Sequence, residues 1–411
     1  MYFINVDRLW DSLMQMAQIG RTEKGGCNRQ ALTDLDKQGR DLFISWCHEL
    51  GMSTRYDEMG NLFARLEGTQ PNLPPIITGS HLDTQPTGGK FDGVYGVLAG
   101  LEVARTIVEN KLKLTHPFEI IAWTNEEGAR FSPAMIGSGV WAGEFDLNYG
   151  WSCSDKNGVT IKDELNRLAM LGKTACKAFD VAAAFELHIE QGPILEAENT
   201  QIGVVTGVQG IKWFDVEFIG KPAHAGPTPM KVRKDPMRAS AALINKLYEL
   251  TDEFGEWSRV TFGDIKVEPG SRNTVPEKLT LAVDLRHPDN AILNQMNQRL
   301  EDICRSIEQH LDIKNTIKEL WHSPAIEFSN KCINAVEQSV KDLALTHKKM
   351  VSGAGHDSVY VSKVAPTSMI FIPCKDGLSH NELESATKQD IGSGANVLLN
   401  AILNSTEYQD A

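Results

Sequence analysis

From Lys212 to Gly220 the chain alternates residue by residue, with Phe214, Val216 and Phe218 on one side, and the pattern on either side of this region is of another kind. Strict period two marks a strand with one buried and one wet face. Downstream, the pattern predicts a helix over 235–254, strands near 260–267 and 279–285, a helix with Ile292, Met296, Leu300, Ile303, Ile307 and Leu311 at helical spacing, and a strand near 316–320. That β-α-β-β-α-β order describes a compact two-layer sandwich. Elsewhere, short apolar runs alternate with helices. Leu9, Leu13 and Met16 share a helical face capped by Asn5, and a second helix runs from a Thr33 cap to Gly51. Strands are predicted at 62–66, 75–78, 120–123, 185–189 and 368–372, and further helices over 94–109, over 331–346 and from Lys388 onward. This is the signature of an α/β fold with a mixed, mainly parallel sheet and helices on both faces. The sandwich then reads as an insertion, giving one domain from 1–209 and 322–411 and a second from 210–321. Two domains also follow from a length of 411 residues, more than one core normally serves.

A formal charge of −13 argues against nucleic acid or an anionic membrane surface as a partner, and no apolar run approaches a membrane span. Seven cysteines form no C-x-x-C pair, as expected of reduced thiols in a cytoplasmic protein. Asp7, Arg8 and Asp11 interrupt the stretch where an export signal needs an unbroken apolar core. An anionic substrate would need a few locally placed cations in so acidic a chain.

Reactive groups in parallel sheets collect beyond the carboxyl ends of the strands, and this sequence places metal-ligating side chains there. His81 lies in Gly79-Ser80-His81-Leu82-Asp83, Asp92 in Lys90-Phe91-Asp92-Gly93, and Glu126 and Glu127 follow the strand at 120–123. His188 is expected on the polar face of its strand with Glu186 and Glu190, and His380 in the loop Ser379-His380-Asn381-Glu382. Together His81, Asp92, Glu127, His188 and His380 make a ligand set for two divalent ions. Ions about 3.5–4 Å apart need a bridging carboxylate, and Asp92, among Gly88, Gly89, Gly93 and Gly96, is the expected bridge. Asp83 is expected to accept the other ring N–H of His81 and fix its tautomer. Glu127 is assigned as ligand and Glu126 as the general base for a water activated between the ions. Taken singly, each motif has a plain alternative: a glycine-rich turn, an exposed or loop histidine, two solvated acids at a helix start. The donor set fits zinc, with manganese, cobalt or nickel as alternatives.

The stretches GSHLDTQPTGGKFDGVYGVLAG, WTNEEGARFSPAMIGSG, ELHIEQGPILE, GKPAHAGPTPM, SRNTVP, DLRHP, SGAGHDS and GLSHNE, in this order, resemble the M20-type dinuclear metallohydrolases over nearly the whole chain. More narrowly they resemble the hydantoinase/carbamoylase branch, which includes N-carbamoyl-L-amino acid hydrolases, β-ureidopropionase and allantoate amidohydrolase. Related peptidases usually carry a carboxylate at the fourth ligand, where this chain has His188. The resemblance implies that the inserted domain is a lid, that it builds a homodimer, and that the molecule opens and closes. It implies that His224 stabilises the oxyanion in the neighbouring subunit's site and that Arg286 clamps the substrate carboxylate with two parallel hydrogen bonds. Asn273, Gln191 and His356 are implied substrate contacts. A locally bonded turn histidine and a surface Asp284–Arg286 pair are the competing readings. The implied reaction is hydrolysis of an N-carbamoyl amino acid to ammonia, carbon dioxide and the amino acid. Allantoate or β-ureidopropionase chemistry is the first alternative, an aminoacylase or dipeptidase the next, and a metal-binding protein without catalysis the last.

Overall fold

A computed structural model describes residues 1–409. The chain forms two compact units, one from Met1–Thr206 together with the chain from Phe328 onward, the other from Gly207–Glu327. In the first unit the strands Phe118–Trp123, Ile76–His81, Ala183–Ile189 and Thr367–Ile372 lie side by side and run parallel. Ser53–Tyr56 and Leu62–Leu66 extend the sheet antiparallel on one side, and Ile202–Val208 does so on the other, with His347–Ser352 paired to it. The sheet is thus mixed with a parallel centre, as the alternation of strands and helices predicts. The outer strands at 53–56, 202–208 and 347–352 carry weak or glycine-broken patterns, so ladder pairing rather than local sequence defines them.

Every position of the four central strands is buried, as parallel strands covered on both faces require. Thr78 and Ile120 face the helix Val94–Glu109, where a Cβ on Gly100 would lie 2.8 Å from the Thr78 methyl. Ile77, Ile121 and Ala184 face the other way, toward Trp141 and Val361. The expected polar face of Ala183–Ile189 does not exist. Glu186 is buried, and its two carboxylate oxygens accept bonds from Ser80 Oγ at 2.8 Å and from Ser358 Oγ and N at 2.6 and 3.0 Å. Burial is tolerated because each oxygen is paired.

In the second unit Gly210–Ile219 pairs with Lys278–His287 on one side and Lys314–Ser323 on the other, all antiparallel. The strand predicted over 260–267 is instead two, Arg259–Thr261 and Ile265–Glu268, separated at Phe262-Gly263-Asp264 and both paired with Lys278–His287. Helices Pro236–Phe254 and Asn290–Leu311, capped by Asp235 and Asp289, cover one sheet face. Leu243, Leu247, Leu293, Met296 and Leu300 pack there against Phe214, Val216, Phe218, Leu281 and Val283. A separate small ladder joins Ala223–His224 to Thr274–Val275. Among the described residues no helix is long and apolar enough to cross a membrane, and all seven cysteines are free.

Candidate metal centre

The parallel strands of the first unit end on one edge, and the candidate ligands lie at or beyond their carboxyl ends. His81 is the last residue of Ile76–His81, and His188 is the penultimate residue of Ala183–Ile189. Glu126 and Glu127 lie in the bend after Trp123, with no helix until Ile136, so they are not acids at a helix start. Asp92 immediately precedes Gly93, the N-cap of Val94–Glu109, where the helix dipole favours its negative charge. His380 follows Thr367–Ile372 in a loop and adopts φ +53. Gly93 stands at φ +66, and a Cβ there would lie 2.3 Å from the His81 ring, so only glycine lets this turn approach the imidazole.

Two groups of potential ligands result, His81–Asp92–His188 and Asp92–Glu127–His380, and in each the ligating atoms lie within 4.8 Å of one another. Asp92 belongs to both. Its Oδ1 is 3.5 Å from His81 Nε2 and 3.1 Å from His188 Nε2, while its Oδ2 is 3.7 Å from His380 Nε2. Glu127 Oε2 is 3.1 Å from His380 Nε2. His81 Nδ1 hydrogen bonds to the main-chain carbonyl of Asp83 at 2.9 Å, whereas the Asp83 carboxylate is 4.0 Å away. The backbone of Asp83, not its side chain, therefore orients this ring. The carboxylate instead accepts the Glu127 N–H at 3.3 Å. His188 Nδ1 meets the Ile189 carbonyl at 2.9 Å. Both rings thus direct Nε2 toward Asp92, as metal-ligating histidines require.

The residues fit a pair of cations. Asp83, Asp92, Glu126 and Glu127 crowd the same few ångströms, and Asp83 Oδ1, Asn125 Oδ1, Gln191 Oε1 and Asp357 Oδ2 are buried without hydrogen-bond partners. Burial opposes charge on His81, yet Glu126, Asp92, Asp83 and Glu127 hold its pKa well above the ordinary imidazole value. Burial likewise opposes charge on His188, and Asp92 raises it. Asp92 is held well below the carboxylate range by His188 and His81 despite its burial. Burial pushes Asp83 up to about 6. Glu126 lies 3.5 Å from His81 Nε2; burial first, and then Asp357, Glu127 and Asp92, raise its pKa far above the ordinary value, against the attraction of His81. Without a metal ion, these surroundings favour the protonated form of this buried carboxyl.

Gln191, also at positive φ, donates from Nε2 to Asp92 Oδ2 at 2.8 Å. His356 is buried, its ring 4.7 Å from that of His188, and burial with His188 drives its pKa far down. His224, Asn273 and Arg286 belong to the second unit. His224 Nδ1 accepts from Gly226 N at 3.1 Å, and Asn273 O accepts from Ala225 N at 2.8 Å, so the small ladder brings the two residues together. Arg286 donates from Nε and Nη2 to Asp284 at 2.8–3.1 Å, the pairing foreseen as the competing role. Sequence reasoning did not single out Gln85, Ser379, Glu384 or Asp357. Gln85 donates to Glu127 Oε2 at 2.8 Å, Ser379 donates to Asp92 Oδ2 at 2.5 Å, Glu384 accepts from the main chain at Phe91 and Asp92, and Asp357 accepts from Ser138 Oγ at 2.5 Å. Gln85, Asp357 and Ser379 lie within the motifs quoted above and Glu384 two residues beyond the last of them, but nothing in their spacing separates them from neighbouring polar residues.

Residues 77–404 match the model of peptidase family M20/M25/M40. The chain is similar to the N-carbamoyl-L-amino-acid amidohydrolase of Rhizobium meliloti, at 46% identity over 98% of this chain and 97% of that protein. It is 33% identical to the allantoate amidohydrolase of Bacillus subtilis (strain 168), over 93% of this chain and 94% of that one. A crystal structure of a hydantoinase/carbamoylase family amidase from Burkholderia multivorans superposes with a TM-score of 0.96 at 47% identity, covering 98% of each chain. With a family model matching most of its length and full-length relatives this similar, the chain belongs to peptidase family M20/M25/M40 and, within it, to the hydantoinase/carbamoylase amidases.

Proposed function

We propose that this chain is a two-metal amidohydrolase that cleaves the ureido C–N bond of N-carbamoyl amino acids, yielding the amino acid, carbon dioxide and ammonia. The observation that carries this reading is the meeting of two ligand groups at Asp92, beside a buried Glu126. The named relatives supply the substrate class. His81, Asp92 and His188 would hold one divalent ion, and Asp92, Glu127 and His380 the other; the donors suit zinc, with manganese, cobalt or nickel as alternatives. Bound there, the ions supply Lewis acidity and bring the pKa of water toward ~7. Glu126 takes the proton of the attacking water and returns it to the leaving nitrogen. Asp83 holds the loop under both His81 and Glu127. Gln191 and His356 contact the substrate from the first unit.

In this reading the second unit is a lid and the contact of a homodimer, His224 stabilises the oxyanion in the neighbouring subunit's site, and Asn273 and Arg286 hold the substrate. To clamp a substrate carboxylate, Arg286 must exchange the Asp284 carboxylate for it. This answers how an acidic chain takes an anionic substrate: one guanidinium, already shaped for two parallel bonds, does it locally. The reading places the enzyme in the cytoplasm, with neither nucleic acid nor membrane as partner.

Allantoate is the second reading, favoured by the Bacillus relative. A coupled ammonia assay decides between them, with released amino acid measured alongside for the substrates whose cleavage yields no ammonia. Chelated and metal-reconstituted protein is given N-carbamoyl-L-α-amino acids, N-carbamoyl-β-alanine, allantoate, N-acetyl amino acids and dipeptides. Metal-dependent ammonia release from the first group is expected, with little cleavage of the last two. Turnover of N-acetyl substrates or dipeptides alone would overturn the proposal.

A further inference from the structure

The two ligand groups are built to different standards. In the first, His81 and His188 are buried, and a main-chain carbonyl holds each Nδ1 at 2.9 Å. In the second, His380 stands on a loop residue at φ +53 with its side chain 53% exposed. Among the described residues, no main-chain carbonyl holds its ring. A ligand that must be ordered on binding gives up affinity that a prearranged one keeps.

What ties the His380 loop to the rest of the centre is the residue before it. Ser379 Oγ donates to Asp92 Oδ2 at 2.5 Å and accepts from Gln191 Nε2 at 3.2 Å, and Gln191 itself donates to the same Asp92 oxygen at 2.8 Å. Asp92 is meanwhile fixed through its main chain. Glu384 Oε1 accepts the N–H of Phe91 at 2.8 Å and of Asp92 at 3.1 Å, and Glu384 Oε2 lies 3.4 Å from Ser379 Oγ. Glu384 fits only because residue 89 is glycine; a Cβ there would lie 2.1 Å from its carboxylate. The hydroxyl of Ser379 therefore sets two things together: the direction of Asp92 Oδ2, and the distance of the His380 loop from it. It touches the oxygen that serves the second ligand group and not the one that faces His81 and His188.

We propose that Ser379 is a positioning residue for the second metal position, framed by Asp92, Glu127 and His380, and that this position fills after and empties before the one framed by His81, Asp92 and His188. The inference rests on the two-metal reading above. Removing a hydrogen bond that orients a ligand typically costs 10–100-fold in metal affinity, and here the loss should fall on one ion only.

The test uses the full-length chain, stripped by a chelator, reloaded with zinc and equilibrated with graded competing chelator, with bound zinc counted by elemental analysis. The wild type is expected to release one equivalent well before the other. Ser379→Ala should keep the tight equivalent and weaken the other by roughly 10–100-fold, while Ser379→Thr, which retains the hydroxyl, should restore it. Retention of the tight equivalent reports that the variant is folded. Release of both equivalents together in the wild type, or a Ser379→Ala variant with both affinities unchanged or both lost, would overturn the inference. A wild type that never binds more than one equivalent is a separate result, and it would bring down the two-metal reading itself.

Discussion

Gly93 and Glu126 both lie against the His81 ring. Gly93→Ala would set a methyl 2.3 Å from the His81 ring at a φ of +66. It is expected to destabilise the fold by more than ~1 kcal/mol and to strip the His81 position of metal, seen as a lower Tm and a reduced zinc count. A variant with normal Tm and full metal would show that the turn has slack the distances do not reveal. Glu126→Gln keeps the shape and removes the exchangeable proton. Turnover should drop about 10²–10⁴-fold while two metal equivalents remain. Turnover close to wild type would remove Glu126 from the base role.

At the scale of elements, the centre depends on a guanidinium beneath it. Arg40, on the helix Asp34–Glu49, is fully buried, pairs with Asp36 at 3.0 Å, and donates to the carbonyls of Ala122 at 3.3 Å and Trp123 at 3.0 Å. It thereby anchors the end of the strand from which Glu126 and Glu127 project. Arg29 does the same for the neighbouring loop through the Leu82 carbonyl at 2.8 Å. Arg40→Met would leave Asp36 buried without its countercharge, and about 3–5 kcal/mol of stability should go with it. Chemical denaturation measures this; a loss under 1 kcal/mol would mean that water or a rearranged Asp36 takes over the role.

For the whole molecule, the two-metal reading has protons and metal ions competing for one set of groups. Without metal, His81, His188 and His380 all have raised pKa values. A raised imidazole pKa gives stability that is full below the unfolded value of about 6.5 and lost as pH climbs through the folded value. Asp83 and Glu126, also raised, act with the same sign. Asp92, lowered, contributes above about pH 4 and is constant at neutrality. His356, lowered, contributes above about 6.5 and loses stability only as pH falls below it. The chelated chain is therefore expected to show a falling Tm from about pH 7 upward, and the metal-loaded chain a level or rising one, because the ions take the place of the same protons. Scanning calorimetry with and without chelator checks the sign; a chelated Tm that rises over this range contradicts it. Since the second unit has its own core, chelation should speed amide exchange around 76–93 and leave the helices Pro236–Phe254 and Asn290–Leu311 unchanged.

Periodicity and composition determined much of this protein. The central parallel strands, the helix Val94–Glu109 and the alternating strand Gly210–Ile219 are legible because a buried face imposes a repeat on the residues that line it. The five candidate ligands could be named from their places at strand ends, and the fold gathers them into two groups that share Asp92. Tertiary structure alone decided that Glu186 and His188 would both be buried, because a sheet covered on two faces has no wet side. It also decided that a carbonyl rather than the Asp83 carboxylate would hold His81, and that Ser379 and Glu384 would close around Asp92 from nearly three hundred residues away. Contacts of that kind depend on where the chain returns, and no local pattern encodes the return.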